Sequence, residues 1–160
     1  MQVHLIFLKV FISLMSQTNL QKSLSHKMND HLFVYGTLRK EFQHSTFKNI
    51  EPYVQFINKG HFMGHQFEID WYPGAINTKE NAYPIIGDIY EVFDKKVWEI
   101  LDEYEGCSTK DRLPHEYIKK RLDITTSSKK QLKAIVYLFA LSTDGYKELT
   151  SGDFWEYKNK

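Results

Sequence analysis

His31-Leu32-Phe33-Val34-Tyr35-Gly36-Thr37-Leu38-Arg39 is the stretch on which the reading of this chain turns. Leu32 to Tyr35 are apolar and strand-forming, and Gly36 cuts them off before a small hydroxyl residue, a leucine and a cation. The pattern predicts a first, central strand over Leu32–Tyr35. A buried strand that stops at glycine presents a row of backbone N–H groups, with no side chain to hold a ligand away. Such a loop can receive an oxygen that carries or develops negative charge. By itself a strand ending in Gly and Thr also fits plain turn geometry. A second element about 70 residues downstream, Leu101-Asp102-Glu103-Tyr104-Glu105-Gly106, adds a carboxylate in an unusual place.

That element closes a predicted helix running from Asp94 to Tyr104 or Glu105, with Asp94 as N-cap and Gly106 just past the end. At about 100° per residue, Val97, Ile100, Leu101 and Tyr104 cluster on one side and Trp98 extends the arc. Glu99, Asp102 and Glu103 fall on the opposite, solvated side. Glu105 projects between Leu101 and Trp98, along the buried stripe. Two readings follow. If the last turn frays, the Glu105 carboxylate simply reaches water. If it does not, the carboxylate is partly desolvated and its pKa rises, which is what a general base and acid near neutrality requires.

Outward from these two segments the chain reads mainly as strands. Glu41 to Glu51 is a loop or short helix, and residues 60–69, with Gly60 and Gly64, suit a bent or bulged strand. Tyr72-Pro73-Gly74 reads as a turn, and Ile85 to Val92 as a strand with a bend at Gly87. Tyr117–Ile124 and Leu132–Leu141 form an expected hairpin around Thr125–Gln131, the second strand covered on both faces. The expected fold class is α+β, a small mixed β-barrel or strongly curved sheet with flanking helices.

Bulk properties narrow the class of function. With 160 residues the chain is one domain with a real core, and 15% aromatic content favours a curved, β-rich interior. A net charge of +1 gives no electrostatic footprint for nucleic acid. Cys107 is the single cysteine, which excludes an internal disulfide and fits a reducing compartment such as the cytoplasm. Val3 to Leu14 is apolar, but His4 and Lys9 interrupt it and it is too short to span a bilayer. It also lacks the basic start and small-residue cleavage site of a signal peptide. Residues 1–27 are therefore expected to be an extension preceding a domain over residues 28–160, for which Met28 is a natural start.

Three further candidates carry less. His61 and His65 are four apart, but no glutamate lies between them and no third ligand is suggested, so no metal is assigned. Cys107 reads as a small packing residue rather than a nucleophile. Arg39 reads either as an anchor for a substrate carboxylate or as a solvated cation.

Together the two motifs resemble the gamma-glutamylcyclotransferase-like superfamily, in particular its gamma-glutamylamine cyclotransferase (avirulence-induced-protein-like) branch. Phe33-Val34-Tyr35-Gly36-Thr37-Leu38-Arg39 matches the substrate loop, and Leu101 to Gly106 the segment bearing the catalytic glutamate. Gly87-Asp88-Ile89-Tyr90-Glu91-Val92, Ala134-Ile135-Val136-Tyr137 and Ser151-Gly152-Asp153-Phe154 follow in the family's order, so that residues 31–157 are covered. Two positions depart: Gln43-His44 stands where the family commonly has Asn-His, and Tyr117 lacks the usual arginine two residues on. The resemblance implies a small mixed barrel and an intramolecular acyl transfer that releases 5-oxoproline and an amine. It implies Glu105 as base and acid, Tyr35, Gly36, Thr37 and Leu38 as the substrate loop, and Tyr137 as a pocket residue. A small γ-glutamyl compound is the implied partner, and no cofactor or metal is needed. The alternatives are a γ-glutamyl acyltransferase or deprotecting cyclotransferase using the same residues, and a non-catalytic ligand-binding module.

Overall fold

Strand β1 (Asp30–Val34) lies at the centre of the sheet, between β4 (Tyr83–Val92), antiparallel to it, and β6 (Gln131–Phe139), parallel. The structure is a computed structural model that describes residues 30–160, so the extension expected over residues 1–27 and the start at Met28 lie outside the described residues. Strand β2 (Val54–Glu68) pairs with β4 on one edge and, at Gly60 and His61, with β5 (Tyr117–Thr126) on the other. Because β5 also pairs with β6, the order β2-β4-β1-β6-β5 closes into a five-stranded mixed barrel. Strands β3 (Pro73–Asn77) and β7 (Lys147–Glu148) lie outside the closure, both on the C-terminal end of β2. Three short helices complete the described chain: α1 (Ser45–Ile50), α2 (Lys96–Tyr104) and α3 (Phe154–Lys158). Among the described residues no helix is long and apolar enough to cross a membrane.

The continuous apolar run of β1 follows from burial on both faces. Successive strand side chains point to opposite sides. Phe33 and Tyr35 fill the barrel interior with Phe62, Ile85, Ile89, Ile124, Val136 and Leu138. Leu32 and Val34 face outward and pack with Ile50 of α1 and Val97 and Leu101 of α2. Full burial of each such aliphatic side chain contributes about 1.5–3 kcal/mol. Strand β6 divides in the same way, with Ala134, Val136 and Leu138 inward and Ile135, Tyr137 and Phe139 outward.

Local departures from the sequence reading have physical causes. The bulge in β2 falls between Phe56 and Asn58, upstream of the glycines. Gly60 instead serves closure: a Cβ there would stand 2.8 Å from the Thr125 carbonyl oxygen and 2.8 Å from Ile89 Cδ1. Pro73 and Gly74 are not turn residues. They begin β3, paired with Glu68 and Phe67, and the reversal comes before them. Proline is tolerated as the first residue of a strand. Strand β6 stops at Phe139, leaving Leu141 exposed.

Candidate active site

Beyond Val34 the chain leaves the sheet, and the Arg39 N–H donates to the Gly36 carbonyl at 3.0 Å, tightening the loop. Among the described residues the N–H groups of Gly36, Thr37 and Leu38 donate to no protein acceptor. Gly36 does not occupy the left-handed region. Its missing side chain matters sterically, because a Cβ would approach Pro73 Cγ to 3.1 Å. Tyr35 is committed: its hydroxyl donates to the Tyr137 carbonyl at 2.8 Å and accepts the Ala75 N–H at 3.2 Å, tying β1, β6 and β3 together. Only its ring is left to face a ligand. Thr37 is buried, its Oγ1 3.4 Å from the Tyr104 hydroxyl.

Glu105 sits at the C-terminal end of α2. The helix begins with the Asp94 carboxylate accepting the Lys96 N–H at 2.9 Å, so the expected capping residue acts as one. It ends without fraying. Cys107 N–H donates to the Asp102 carbonyl at 2.9 Å and Gly106 N–H to that of Glu103 at 3.3 Å, with Gly106 at φ +64°. That pairing is the Schellman closure, which glycine allows without strain. It holds Glu105 on the buried stripe instead of letting it swing to water. The carboxyl is enclosed although the residue keeps some accessible surface, and burial pushes its pKa up to about 8, aided by the negative charge of Glu116. No hydrogen bond to the Glu105 carboxyl is made among the described residues.

The loop and the carboxyl share one cavity of about 310 Å³. Tyr35, Gly36, Thr37 and Leu38 form one wall, Tyr104, Glu105 and Gly106 another, and Tyr137 also lines it. The structure thus brings together the six residues that the family resemblance implies for the site. It adds Trp71, Tyr72, Glu116 and Tyr117, which sequence reasoning did not assign to the site. The Tyr72 hydroxyl donates to Glu116 Oε1 at 2.8 Å, and the Tyr117 hydroxyl to the Pro73 carbonyl at 2.9 Å. The one signal for Glu116 was its place immediately before a strand, opposite in sense to the strand end at Tyr35. Two carboxylates face the cavity, and no lysine or arginine lines it among the described residues.

Two expectations are corrected. Asp102, 24% exposed, lies off the buried stripe as expected but is not free in solvent: it accepts the Tyr137 hydroxyl at 2.5 Å and Lys119 Nζ at 2.6 Å. Tyr137 therefore presents its ring, not its hydroxyl, to a ligand. Arg39 is neither solvated nor an anchor in the cavity. It is 1% exposed, donates to Asp153 at 2.6 Å and pairs with Glu41. The two histidines do not converge on a ligand set: His65 is spent on Glu148 and the Glu80 carbonyl. The Cys107 thiol is pushed up to about 11, by burial first and then by Asp102, the reverse of an activated nucleophile.

Known proteins agree with this arrangement at the level of family and fold. A family model described as gamma-glutamyl cyclotransferase, AIG2-like, matches residues 32–157. No curated protein sequence matches the chain. An uncharacterised protein of Pyrococcus horikoshii is 25% identical, with a TM-score of 0.57 over 81% of this chain and 93% of that one. An AIG2-like protein of Mus musculus is 21% identical, with a TM-score of 0.60 over 73% and 81%. A gamma-glutamyl cyclotransferase structure is 14% identical, with a TM-score of 0.50 over 74% and 69%. The last two speak to the fold alone. The family match spans the strand and loop from Leu32, the acidic helix end and the strand carrying Tyr137, and on that extent the chain belongs to the gamma-glutamyl cyclotransferase, AIG2-like family.

Proposed function

We propose that this protein is a cofactor-free cyclotransferase that converts a γ-glutamylamine into 5-oxoproline and a free amine, with Glu105 moving the protons. The observation that carries the proposal is the enclosed Glu105 carboxyl, raised to about 8, in the same cavity as the open N–H groups of Gly36, Thr37 and Leu38. Nucleophile and electrophile lie in one substrate molecule, so the enzyme has chiefly to hold it in a ring-closing conformer. The Glu105 carboxylate takes a proton from the substrate α-ammonium, and the freed amine attacks the γ-carbonyl carbon. The loop N–H groups receive the resulting oxyanion. The protonated Glu105 then gives its proton to the leaving nitrogen as the C–N bond breaks, which returns the carboxylate, and the ring nitrogen passes its second proton to the released amine, which departs as an ammonium ion. A pKa near 8 suits both proton transfers and lies close to working pH. The free cysteine fits a reducing compartment and supports a cytoplasmic setting.

Incubation with γ-glutamyl amines, γ-glutamyl amino acids and glutathione, scored by 5-oxoproline release, tests the reading. Turnover is expected on a γ-glutamylamine and in the presence of EDTA. Glu105→Gln is expected to lower the rate at least about 10²-fold, since the amide neither accepts nor donates the proton. Near-normal turnover by that variant would remove Glu105 from the mechanism.

A further inference from the structure

We infer that Glu116 is a specificity-determining residue that selects γ-glutamyl conjugates of an alkyl diamine, by pairing with the second, positively charged nitrogen of the leaving amine. The inference rests on the proposed activity and deepens it.

Three observations place this charge preference in the cavity wall. First, Glu116 lines the cavity, and its backbone is fixed where the Ala140 N–H donates to its carbonyl at 2.8 Å. Tyr72 holds one oxygen, Oε1, at 2.8 Å, while no described residue donates to Oε2. The side chain is therefore oriented, with one oxygen left to accept. Second, the cavity wall has no arginine or lysine to receive a carboxylate among the described residues. Arg39 of the loop and Lys119 of β5 are committed elsewhere, Arg39 to Asp153 and Glu41, and Lys119 to Asp102. Within the cavity lining the positive field is the row of loop N–H groups, which the γ-glutamyl half of the substrate requires. A leaving group that carried its own carboxylate would meet Glu116 with nothing to neutralise it. Third, Tyr72, which touches Glu116, packs edge-on against Trp71 with ring centroids 5.2 Å apart, and both rings line the cavity. Aromatic rings next to a carboxylate suit an alkyl chain ending in an ammonium group. Glu105 and Glu116 both line the cavity, so the two carboxylates face one shared space.

Three substrates of matched length separate charge from shape. They are γ-glutamyl-1,4-diaminobutane, its neutral counterpart γ-glutamyl-n-pentylamine, and an anionic counterpart, γ-glutamyl-5-aminopentanoate. The expected order of kcat/KM is cationic, neutral, anionic, with at least about tenfold between the first two, the size of one charge-assisted contact. Glu116→Gln is expected to bring the cationic-to-neutral ratio close to one. Tyr72→Phe, which frees Glu116 to rotate, is expected to lower it in part. In the wild-type protein the ratio should fall as salt is raised, a readout that needs no variant to fold. Equal rates on the cationic and neutral substrates, or a ratio that Glu116→Gln leaves intact, would overturn the role of Glu116 while leaving the cyclotransferase reading in place. Failure of all three substrates to release 5-oxoproline would overturn the activity and this inference with it.

Discussion

At Glu105 the burial that raises the carboxyl pKa also works against the fold. The group ionises at 4.5 in its ordinary setting and near 8 in the folded protein, so between those values the folded state holds a proton that the unfolded chain has released. Stability must then fall as pH rises through that window, at up to about 1.4 kcal/mol per pH unit. Glu105→Gln, neutral throughout, is expected to melt above the wild type at pH 8 and level with it at pH 4, while turnover is lost. The wild-type kcat/KM should rise with pH along a limb near 8, as the carboxylate that accepts the proton forms. A melting temperature for Glu105→Gln below that of the wild type at pH 8 would show that the carboxyl is not buried at a cost. Three positions earlier, Asp102 is used differently, receiving a hydroxyl and a lysine outside the cavity. Asp102→Ala is expected to strand the Tyr137 hydroxyl, costing about 1–3 kcal/mol in stability. Its rate should drop by less than about tenfold, well short of Glu105→Gln. Helical periodicity placed Glu105 correctly because it depends only on the helix's own geometry. It missed the partners of Asp102 because Tyr137 and Lys119 arrive from β6 and β5, which no count along the helix can see.

At the scale of elements, the Gly36–Leu38 loop is held by residues remote from it in sequence. Arg39 runs beneath the loop into Asp153, whose carboxylate also caps α3 by accepting the Trp155 and Glu156 N–H groups at 3.0 and 3.2 Å. Just after it, the Lys40 N–H donates to the fully buried Asp88 of β4 at 3.0 Å. Burial drives the Asp88 pKa upward, partly offset by that N–H. Asp153→Asn keeps an oxygen for the helix cap but removes the charge opposite a buried guanidinium. Because Asp153 is itself partly exposed, the expected loss of stability is about 1–3 kcal/mol, below that for a fully buried pair. If the clamp positions the loop, KM for the γ-glutamyl substrate should rise more than kcat falls. An unchanged KM alongside a lower melting temperature would reduce the clamp to a structural role. None of this was legible at Arg39, where a strand-end cation looked either solvated or free for a ligand. The turn reading of Pro73-Gly74 failed for a related reason. Local residue chemistry favours a turn there, and pairing with β2 overrides it.

For the whole molecule, the barrel class was legible because β1 and β6 are apolar on both faces, a pattern that needs cover inside and out. The seam was not legible, since the β2–β5 pairing joins residues far apart in the chain through only two partners. The seam and the loop each contain a glycine with no positive φ, and the two should respond to substitution in opposite ways. At Gly60 an added methyl group would lie 2.8 Å from a backbone oxygen, which cannot move without shifting β5. Gly60→Ala is expected to cost about 1–3 kcal/mol through overpacking. That corresponds to a melting temperature lower by roughly 3–11 °C for a domain of this size. Below that temperature its kcat should be near normal, because neither Gly60 nor the residues its Cβ would crowd, Ile89, Ile124 and Thr125, line the cavity. At Gly36 the nearest atoms are those of the Pro73 ring, at 3.1 and 3.2 Å, which can yield by tenths of an ångström. Gly36→Ala should therefore melt close to the wild type, while the methyl group intrudes on the space in which the loop N–H groups would meet the proposed oxyanion. Loss of one such donor typically costs ~10²–10³-fold in rate. Melting and 5-oxoproline release, measured on both variants, give the contrast directly. A Gly36→Ala protein that is fully active would remove the loop from the substrate site, and an inactive but thermally unchanged Gly60→Ala protein would mean that the seam, not the loop, borders the chemistry.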